Sequence, residues 1–510
     1  MSVVSEINAF TSSDWLCGCF VRTKAGVSIP ASYANRKAFV PGEKVRFVDG
    51  DERTIVNVQD GTRNLGIWMD GPVLDGNKVG YPNKITSLSK VSIDIPETPT
   101  SSPEFSAQAT QLFAGLNYTG LGNNTFVLDA QAGTHYRICD ERFLDAFPDC
   151  KLWRVTISLS RVLKDSQGMG LDPYYVQLIT DTLDSIAERG GKAILDAHDW
   201  LRMWKCVERL PGFDVNQLGE YYRVKDGRVI TPAEMRANNF SGVGARYKAD
   251  GKRIVKAYVD RRNGELQISE QHVMGLKGCP KIYNEDGIIH TWKAVIKQFM
   301  NHPAIWGYEF MNEPYKGPEV DPVTGADFDI ASYWIKVAKR LVAECGVVDK
   351  THWFLVGGNQ YQTASAWTKY SDGLKDIADP NNQVIYAAHY YVDANGGAWN
   401  DVNQQVDWDA GVTPVADFFG WLKANGKRGI LTEFGGPAGN ASVAVAHAHL
   451  IKAAWEANVP VIQWAAGPGW GPDDENAVNY ETAHGVVVKD NINPLDLYFH
   501  CRKETYNPKQ

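Results

Sequence analysis

The stretch Ile305-Trp-Gly-Tyr-Glu-Phe-Met-Asn-Glu-Pro314 is a short apolar run that ends in a carboxylate and a proline. A second stretch, Gly429-Ile-Leu-Thr-Glu-Phe-Gly-Gly436, repeats this plan, with Glu433 close to two glycines. Short apolar runs bounded by glycine and proline predict buried β-strands. Each strand would carry one glutamate, Glu313 or Glu433, to its C-terminal end. Two carboxylates brought together in this way are the minimum that cleavage of a glycosidic bond requires.

Working outward from these two runs, the chain alternates short apolar runs with helical patterns from about residue 110. The eight predicted strands are 112–117, 152–157, 192–197, 305–310, 353–356, 384–388, 429–432 and 459–464. Amphipathic helices are predicted after Asp172-Pro173, before Asn301 and before Gly346. This alternation predicts an α/β fold, a (β/α)8 TIM barrel. A doubly wound open sheet is the alternative, which the lack of a phosphate-binding glycine motif disfavours.

The N-terminal part of the chain has a different pattern. Residues 1–94 predict a small β-rich module, because Asp49-Gly50 separates the alternating runs 44–48 and 53–58. Proline, serine and threonine dominate residues 95–106, which predicts an extended linker before a barrel at 107–505. The module would be a binding or anchoring unit, with Trp15 or Trp68 as a sugar platform.

A long excursion over about 200–286 interrupts the barrel after its third strand and predicts a folded insertion. It contains hairpin turns at Lys225-Asp-Gly-Arg228 and Arg261-Arg-Asn-Gly264, and capping-box spacing at Thr231-Pro-Ala-Glu234. Its lysines and arginines are balanced by acids, so a solvated surface and recognition of an acidic polysaccharide both remain open.

Composition limits the partners. The net charge is -8 with dispersed lysine and arginine, which argues against nucleic acid. No stretch approaches the ~18 apolar residues of a membrane span, and residues 1–10 lack the features of a secretory signal.

Sixteen tryptophans suit sugar stacking, although core packing explains any single one. The eight cysteines show no metal-ligand spacing; free thiols are expected, with Cys17–Cys19 or Cys139–Cys150 as alternatives.

Polar or aromatic side chains are assigned to the C-terminal ends of seven of the predicted strands. They are Asn117, Arg154, His198 with Asp199 and Trp200, Asn312 with Glu313, His389 with Tyr391, Glu433, and Trp464. In a barrel the C-terminal strand ends share one face, so these side chains are expected to form a single site.

From residue 110 to about 500 the chain resembles glycoside hydrolase family 5, a family of retaining (β/α)8 glycosidases. Asn312-Glu313-Pro314 after an apolar strand is similar to the acid/base signature of that family, and Thr432-Glu433-Phe434-Gly435 to its nucleophile signature. Five other strand ends resemble the family in the same order: 115–117, 153–154, 195–198, 389–391 and 463–464.

The resemblance implies a retaining, endo-acting hydrolase of β-linked polysaccharide, with Glu313 as general acid/base and Glu433 as nucleophile. Arg154 and Tyr391 would support the charge of Glu433. The remaining supporting roles fall to Asn117, to Asn312 at the sugar 2-hydroxyl, to His198 and His389 as orienting groups, to Trp464 as the subsite floor, and to Trp200 and Trp470 as further platforms. No cofactor or metal is implied.

Two other functions stay open from the sequence. One is a glycan-binding protein that has lost turnover, and the other is a metal-dependent hydrolase using His198, Asp199 and His389. The missing signal peptide also allows a role as a phage tail-associated depolymerase of external polysaccharide, attached to a larger particle through the N-terminal module, or another non-classical release.

Overall fold

The computed structural model describes eight short strands between residues 3 and 91, and residues 110–504 with gaps. The residues left undescribed within that range are 124, 126–129, 165–169, 211–245, 249–253, 261–264, 318–325, 394, 400, 497 and 500–501. Side chains are described from residue 112 onward, except at these gaps, at 206–268 and at 502–504.

Eight parallel strands form a closed barrel, in which each strand pairs with the next and the eighth pairs with the first. All eight strands predicted from the sequence are confirmed. They are β1 (Ala114–Tyr118), β2 (Leu152–Ile157), β3 (Lys192–Ala197), β4 (Ile305–Glu309), β5 (Trp353–Gly357), β6 (Val384–His389), β7 (Gly429–Glu433) and β8 (Val461–Ala466).

Five longer helices cover the outside of the barrel: α1 (Pro173–Glu188), α2 (Glu285–Phe299), α3 (Ile330–Val348), α4 (Ala416–Asn425) and α5 (Ala441–Glu456). Side-chain caps fix where the three predicted helices begin, because Asp172, Asn284 and Asp329 each accept a hydrogen bond from a backbone N–H of the first turn. Short helices lie at Glu141–Asp145, Leu159–Val162, Trp367–Ser371 and Asn493–Asp496.

The barrel interior has an apolar floor and a polar upper layer. Leu152, Ile194 and Ile430 belong to the buried floor cluster. Side chains alternate along a strand, so the next inward-facing positions are two residues later. Those positions hold polar residues that are almost fully buried, namely Arg154, Asp196 and Thr432. The sequence thereby places charge at the C-terminal face, which is the face where barrels of this type carry their sites.

The β-rich character predicted for the N-terminal residues is confirmed. Six strands form one antiparallel sheet: Val3–Glu6, Ala25–Pro30, Lys44–Phe47, Glu52–Asp60, Asn64–Met69 and Ser87–Val91. The predicted hairpin is present, with Lys44 opposite Thr54. Trp15, the side chain of Trp68 and the linker at 95–106 lie outside the described residues, so the domain boundary and the role of this unit stay predictions.

The insertion after β3 is folded, as predicted, and its described residues contain a sheet. Its strands are Arg202–Leu210, Arg246–Lys248, Ile254–Asp260 and Glu265–Val273, and they form one four-stranded antiparallel sheet. Asp260 pairs with Glu265 across the predicted turn at 261–264. The turn at 225–228 and the capping box at 231–234 fall in undescribed segments.

Four cysteines of the described part of the chain are free thiols: Cys139, Cys150, Cys279 and Cys345. The alternative Cys139–Cys150 disulfide is therefore not formed, whereas Cys17 and Cys19 lie outside the described residues. Within the described segments, no helix combines the length and apolar composition that crossing a bilayer requires.

Candidate active site

Barrel closure brings together two glutamates that are 120 residues apart in sequence. Glu433 is the last residue of β7, and Glu313 follows the end of β4 by four residues. The ring of His389 lies between them, with Nδ1 2.8 Å from Oε1 of Glu313 and 3.6 Å from Oε2 of Glu433. One oxygen of each carboxylate and one ring nitrogen of His389 all lie within 4.8 Å of one another.

Arg154 forms ion pairs with three carboxylates below this pair. Its guanidinium is 2.7 Å from Glu433, 2.6 Å from Glu309 and 3.1 Å from Asp196, and the side chain is 0% exposed. Burial alone would lower the pKa of Arg154, but the three negative charges raise it above its ordinary value, so the guanidinium stays cationic. Arg154 is the third of six residues in β2, which corrects its predicted position at the strand end.

Glu433 is held as a hydrogen-bond acceptor. The hydroxyl of Tyr391 donates to Oε2 at 2.8 Å, and Nη1 of Arg154 donates to Oε1 at 2.7 Å. Burial and the charges of Glu433 and Glu313 raise the pKa of Tyr391 well above its usual value, so its hydroxyl keeps its proton. Each oxygen of Glu433 thus receives one donor, the arrangement that stabilises an ionised carboxylate.

Glu313 lies in a different environment. Burial raises its pKa, and the hydrogen bond from Trp200 together with the charge of Arg154 oppose that increase only in part. The indole N–H of Trp200 donates to Oε2 at 2.9 Å. The backbone at Glu313 is left-handed, with φ of 47°, and its N–H donates to Oε1 of Gln362 at 2.6 Å. This carboxyl is therefore disposed to keep its proton.

Both histidines of the site are neutral at neutral pH, since burial lowers the pKa of His198 and of His389 to about 4. His198 is oriented by Asp196, whose Oδ2 lies 2.7 Å from Nδ1. Its ring stacks on Trp464 at a centroid distance of 5.0 Å and an interplanar angle of 14°. Burial also raises the pKa of Asp196, to about 7, against the opposing charge of Arg154.

Asn312 combines one satisfied and one open hydrogen-bonding atom. Its Oδ1 accepts from Arg154 at 2.7 Å, which fixes the orientation of the amide. Its Nδ2 is buried and has no partner among the described residues. Buried donors are normally paired, so a ligand atom is a natural partner for this one. Asn117, by contrast, donates to the carbonyls of Thr432 and Gln463 and accepts from Arg154 at 2.8 Å, so it acts within the barrel.

Trp200 and Trp470, both predicted as sugar platforms, have specific partners. Trp200 is the donor to Glu313 described above. Trp470 donates to Oγ1 of Thr119 at 3.0 Å, and its ring meets Trp464 edge-on at 6.4 Å. Trp200 is therefore anchored to Glu313, and Trp470 is anchored against Thr119 and Trp464.

Four residues that the sequence reasoning did not select complete the network: Glu309, Asp196, Gln362 and Thr432. Glu309 accepts from Arg154, and also from Nε2 of Gln362 at 2.9 Å. A carboxylate inside an apolar strand, as at Glu309 and Asp196, is a usable sequence signal, because a buried charge needs a partner. Gln362 had no such signal.

A cleft of about 1060 Å³ runs over Glu313 and His389. It is lined by Trp200 and by the loops after β4, β5 and β6, and Trp204 and Gln271 of the insertion sheet form part of its wall. Four carboxyl side chains line it in the described part of the chain, those of Glu313, Asp393, Asp407 and Asp409, and the described lining includes no lysine or arginine.

The spacing of Glu313, His389 and Glu433 would also suit a divalent cation. Each carboxylate already accepts hydrogen bonds, Glu313 from Trp200 and Glu433 from Tyr391 and Arg154. The metal-ligand set considered from the sequence was His198, Asp199 and His389. The hydrogen bonds of His198 and Asp199 lead to different partners. Asp199 accepts from the Leu159 N–H at 2.6 Å and from Ser158, whereas His198 binds Asp196.

A closed (β/α)8 barrel with a carboxylate pair at the C-terminal ends of β4 and β7 defines a glycoside hydrolase. The chain belongs to the cellulase family, glycosyl hydrolase family 5, which matches residues 119–469.

Two curated relatives align over most of the chain. Probable endo-beta-1,4-glucanase B of Aspergillus oryzae is 29% identical over 388 residues, covering 75% of this chain and 89% of that protein. Endoglucanase gh5-1 of Neurospora crassa is 20% identical over 398 residues, covering 77% of each. The crystal structure of Pseudomonas stutzeri endoglucanase Cel5A has the same fold, with a TM-score of 0.56 and 20% identity over 78% of this chain and 97% of that one.

Proposed function

We propose that the protein is a retaining endo-β-glycanase that acts by double displacement, with Glu433 as nucleophile and Glu313 as general acid/base. The observation that carries the proposal is the difference in environment between two adjacent carboxyls. Glu433 receives one donor at each oxygen, whereas burial raises the pKa of Glu313. A nucleophile must be ionised and an acid must be protonated at the start of the cycle.

The spacing of the two carboxyls favours retention. Retaining glycosidases hold their carboxyls ~5–5.5 Å apart, whereas inverting enzymes need ~6.5–9.5 Å to admit a water molecule. One oxygen of Glu313 and one of Glu433 lie within 4.8 Å of each other, below the separation that inverting enzymes need. Glu433 would attack the anomeric carbon, and Glu313 would protonate the departing oxygen and then activate a water molecule.

Two further groups would act on the sugar bound beside the glutamates. The buried Nδ2 of Asn312 is positioned to donate to a ring hydroxyl, in keeping with the predicted contact to the 2-hydroxyl. Trp464, stacked on His198, would form the apolar floor under the same sugar.

The charge of the cleft supports a neutral polysaccharide. Asp393, Asp407 and Asp409 line the cleft without a lysine or arginine among the described lining residues, and like charges disfavour a uronate-bearing chain. Two of the aligned relatives carry endoglucanase names, so a neutral β-1,4-glucan is the first substrate to test. This favours a neutral substrate over the acidic polysaccharide considered from the insertion sequence.

The test is an NMR time course on a soluble β-1,4-glucan, combined with trapping by a 2-deoxy-2-fluoro glycoside that carries an activated leaving group. We expect the β-anomer as first product and a label on Glu433. An α-anomer as first product, or a label on another residue, would overturn the mechanism. A rapid fall in viscosity relative to the release of reducing ends would establish internal cleavage, and a polyuronate serves as the comparison substrate.

The biological setting stays a prediction. The hypothesis is a role on external polysaccharide, including attachment to a larger particle through the N-terminal unit. To test it, the intact chain is compared with a variant in which residues 1–94 are replaced. Binding to insoluble glycan or to a virion fraction is measured for both.

A further inference from the structure

Thr432 connects the proposed acid/base to a buried carboxylate. Its Oγ1 lies 3.1 Å from Nε2 of His389 and donates to Oε1 of Glu309 at 3.4 Å. The other ring nitrogen of His389, Nδ1, lies 2.8 Å from Oε1 of Glu313. These contacts link four groups in sequence, Glu313, His389, Thr432 and Glu309, and all but Glu313 are almost completely buried.

The donors and acceptors in this chain depend on one another. Glu309 is ion-paired with Arg154 at 2.6 Å, so it acts as an acceptor. A threonine hydroxyl has a single proton. When Thr432 gives that proton to Glu309, its oxygen can only accept from His389, and the proton of a neutral His389 must then sit on Nε2. Nδ1 is left as an acceptor, and the proton between it and Glu313 belongs to Glu313.

The opposite arrangement forms one hydrogen bond fewer. With its proton on Nδ1, His389 would donate to the Glu313 carboxylate, and Thr432 would turn its hydroxyl to Nε2 and leave Glu309. Glu433 does not need a donor from His389, because Tyr391 and Arg154 already supply its two oxygens. Glu309 keeps its donors from Arg154 and Gln362 in both arrangements. The first arrangement is favoured because it makes hydrogen bonds of all three contacts between the four groups, whereas the second makes only two.

We propose that Thr432 is a positioning residue: its hydroxyl holds His389 in the Nε2–H tautomer, and that tautomer keeps the proton on Glu313. The inference rests on the proposed function of Glu313 as the acid. It assigns a role in acid catalysis to a residue that touches neither the substrate nor Glu313.

Other charged and titratable groups face the same site and bear on its pH dependence. They come from β2 (Arg154), β3 (Asp196 and, just beyond it, His198), β4 (Glu309), the segment after β6 (Tyr391) and β7 (Glu433). Substitution of Thr432 by valine changes none of these groups and preserves the side-chain shape, so it isolates the hydroxyl.

The decisive experiment reads the tautomer directly. Two-bond ¹H–¹⁵N correlations of histidine-labelled protein show which ring nitrogen of His389 carries the proton, and a His389→Asn variant assigns the signal. We expect the Nε2–H tautomer in the parent protein and in Thr432→Ser, and a shift toward Nδ1–H in Thr432→Val. The parent protein in the Nδ1–H form, or a Thr432→Val variant with an unchanged tautomer, would overturn the proposal.

The kinetic counterpart is the pH profile of kcat/KM on a glycan that needs acid assistance. One hydrogen bond is worth roughly half to one pH unit in such a pKa, so the alkaline limb of Thr432→Val should move to lower pH by about that amount. Thr432→Ser should keep the parent limb. If no glycan is hydrolysed, the proposed function is wrong, but the NMR experiment still decides whether Thr432 sets the tautomer of His389. A thermal unfolding curve verifies that each variant is folded.

Discussion

The backbone nitrogen of Glu313 donates a 2.6 Å hydrogen bond to the side-chain oxygen of Gln362. Both residues have left-handed backbones, with φ of 47° and 53°. Such conformations are costly for residues other than glycine and persist only where surrounding contacts enforce them. The Gln362 amide also donates to Glu309 at 2.9 Å, so it ties the loop after β4 to β4 itself.

Replacing Gln362 by methionine should therefore destabilise the protein and reduce catalysis by Glu313, the proposed acid. The change leaves the Glu313 N–H without a partner and leaves Oε1 of Glu309 with only the 3.4 Å hydrogen bond from Thr432, at a cost of about 2 kcal/mol in the free energy of unfolding. We also expect kcat to fall at least tenfold, because Glu313 loses its fixed orientation. Urea denaturation and initial rates measure the two effects. Gln177→Met, at an exposed position of α1, is the control and should change neither.

Replacing Arg154 by methionine should have the largest effect on stability. Three buried carboxylates lose their common cation, and removing one partner of a buried ion pair costs about 3–5 kcal/mol. Chemical denaturation provides the measurement, with Arg189→Met, which breaks only surface ion pairs, as the comparison. A loss below about 1 kcal/mol would show that the carboxylates are protonated and not ion-paired.

The loss caused by Glu313→Ala should depend on the leaving group. Without the acid, we expect a decrease of about 10²–10⁴ in kcat on a polysaccharide. A dinitrophenyl glycoside leaves without protonation, so its first step should be much less affected. Steady-state and burst kinetics on both substrates make the comparison, and Glu188→Ala, at an exposed position of α1, controls for the loss of a carboxylate. Equal losses on both substrates would argue against Glu313 as the acid.

The Trp200→Phe variant should move the alkaline limb of the pH profile to higher pH. The indole N–H bonds the Glu313 carboxyl and lowers its pKa by favouring the ionised form. Removing that donor raises the pKa of Glu313 further, so the protonated acid persists to higher pH. The profile of kcat/KM against pH is the measurement, and Trp470→Phe, whose indole N–H bonds Thr119, should leave the limb unchanged. A limb shifted to lower pH would contradict the sign.

The barrel and its two glutamates were accessible from sequence because they depend on local patterns. Buried parallel strands appear as continuous apolar runs, and each predicted run became a strand. Glu433 was visible as a carboxylate at the end of such a run. The position of Arg154 was misjudged, since the sequence gives the strand but not how far along it the side chain enters the barrel.

The network around Glu313 was not accessible in the same way. Gln360, Tyr361 and Gln362 all have left-handed backbones, with φ of 52°, 59° and 53°, and no glycine marks these positions. Distant contacts with Glu309 and Glu313 fix this conformation. The hydrogen bond of Trp200 to Glu313 depends likewise on a left-handed residue, with φ of 54°, and tryptophan composition alone suggested only stacking.

The insertion sheet begins only two residues after Trp200. Arg202 donates to the carbonyl oxygens of Trp200 at 2.9 Å and Tyr315 at 2.6 Å, and its guanidinium lies 3.7 Å from the centre of the Tyr315 ring. The first strand of the insertion consequently holds in place the two loops that flank Glu313, the one after β3 and the one after β4. In a chimera that takes its insertion from a related barrel, the junction should therefore lie beyond Trp204. A chimera joined before Arg202 would keep both glutamates but lose the contacts that position the loops around Glu313. A junction farther along the insertion would exchange the distal hairpins and preserve the catalytic geometry.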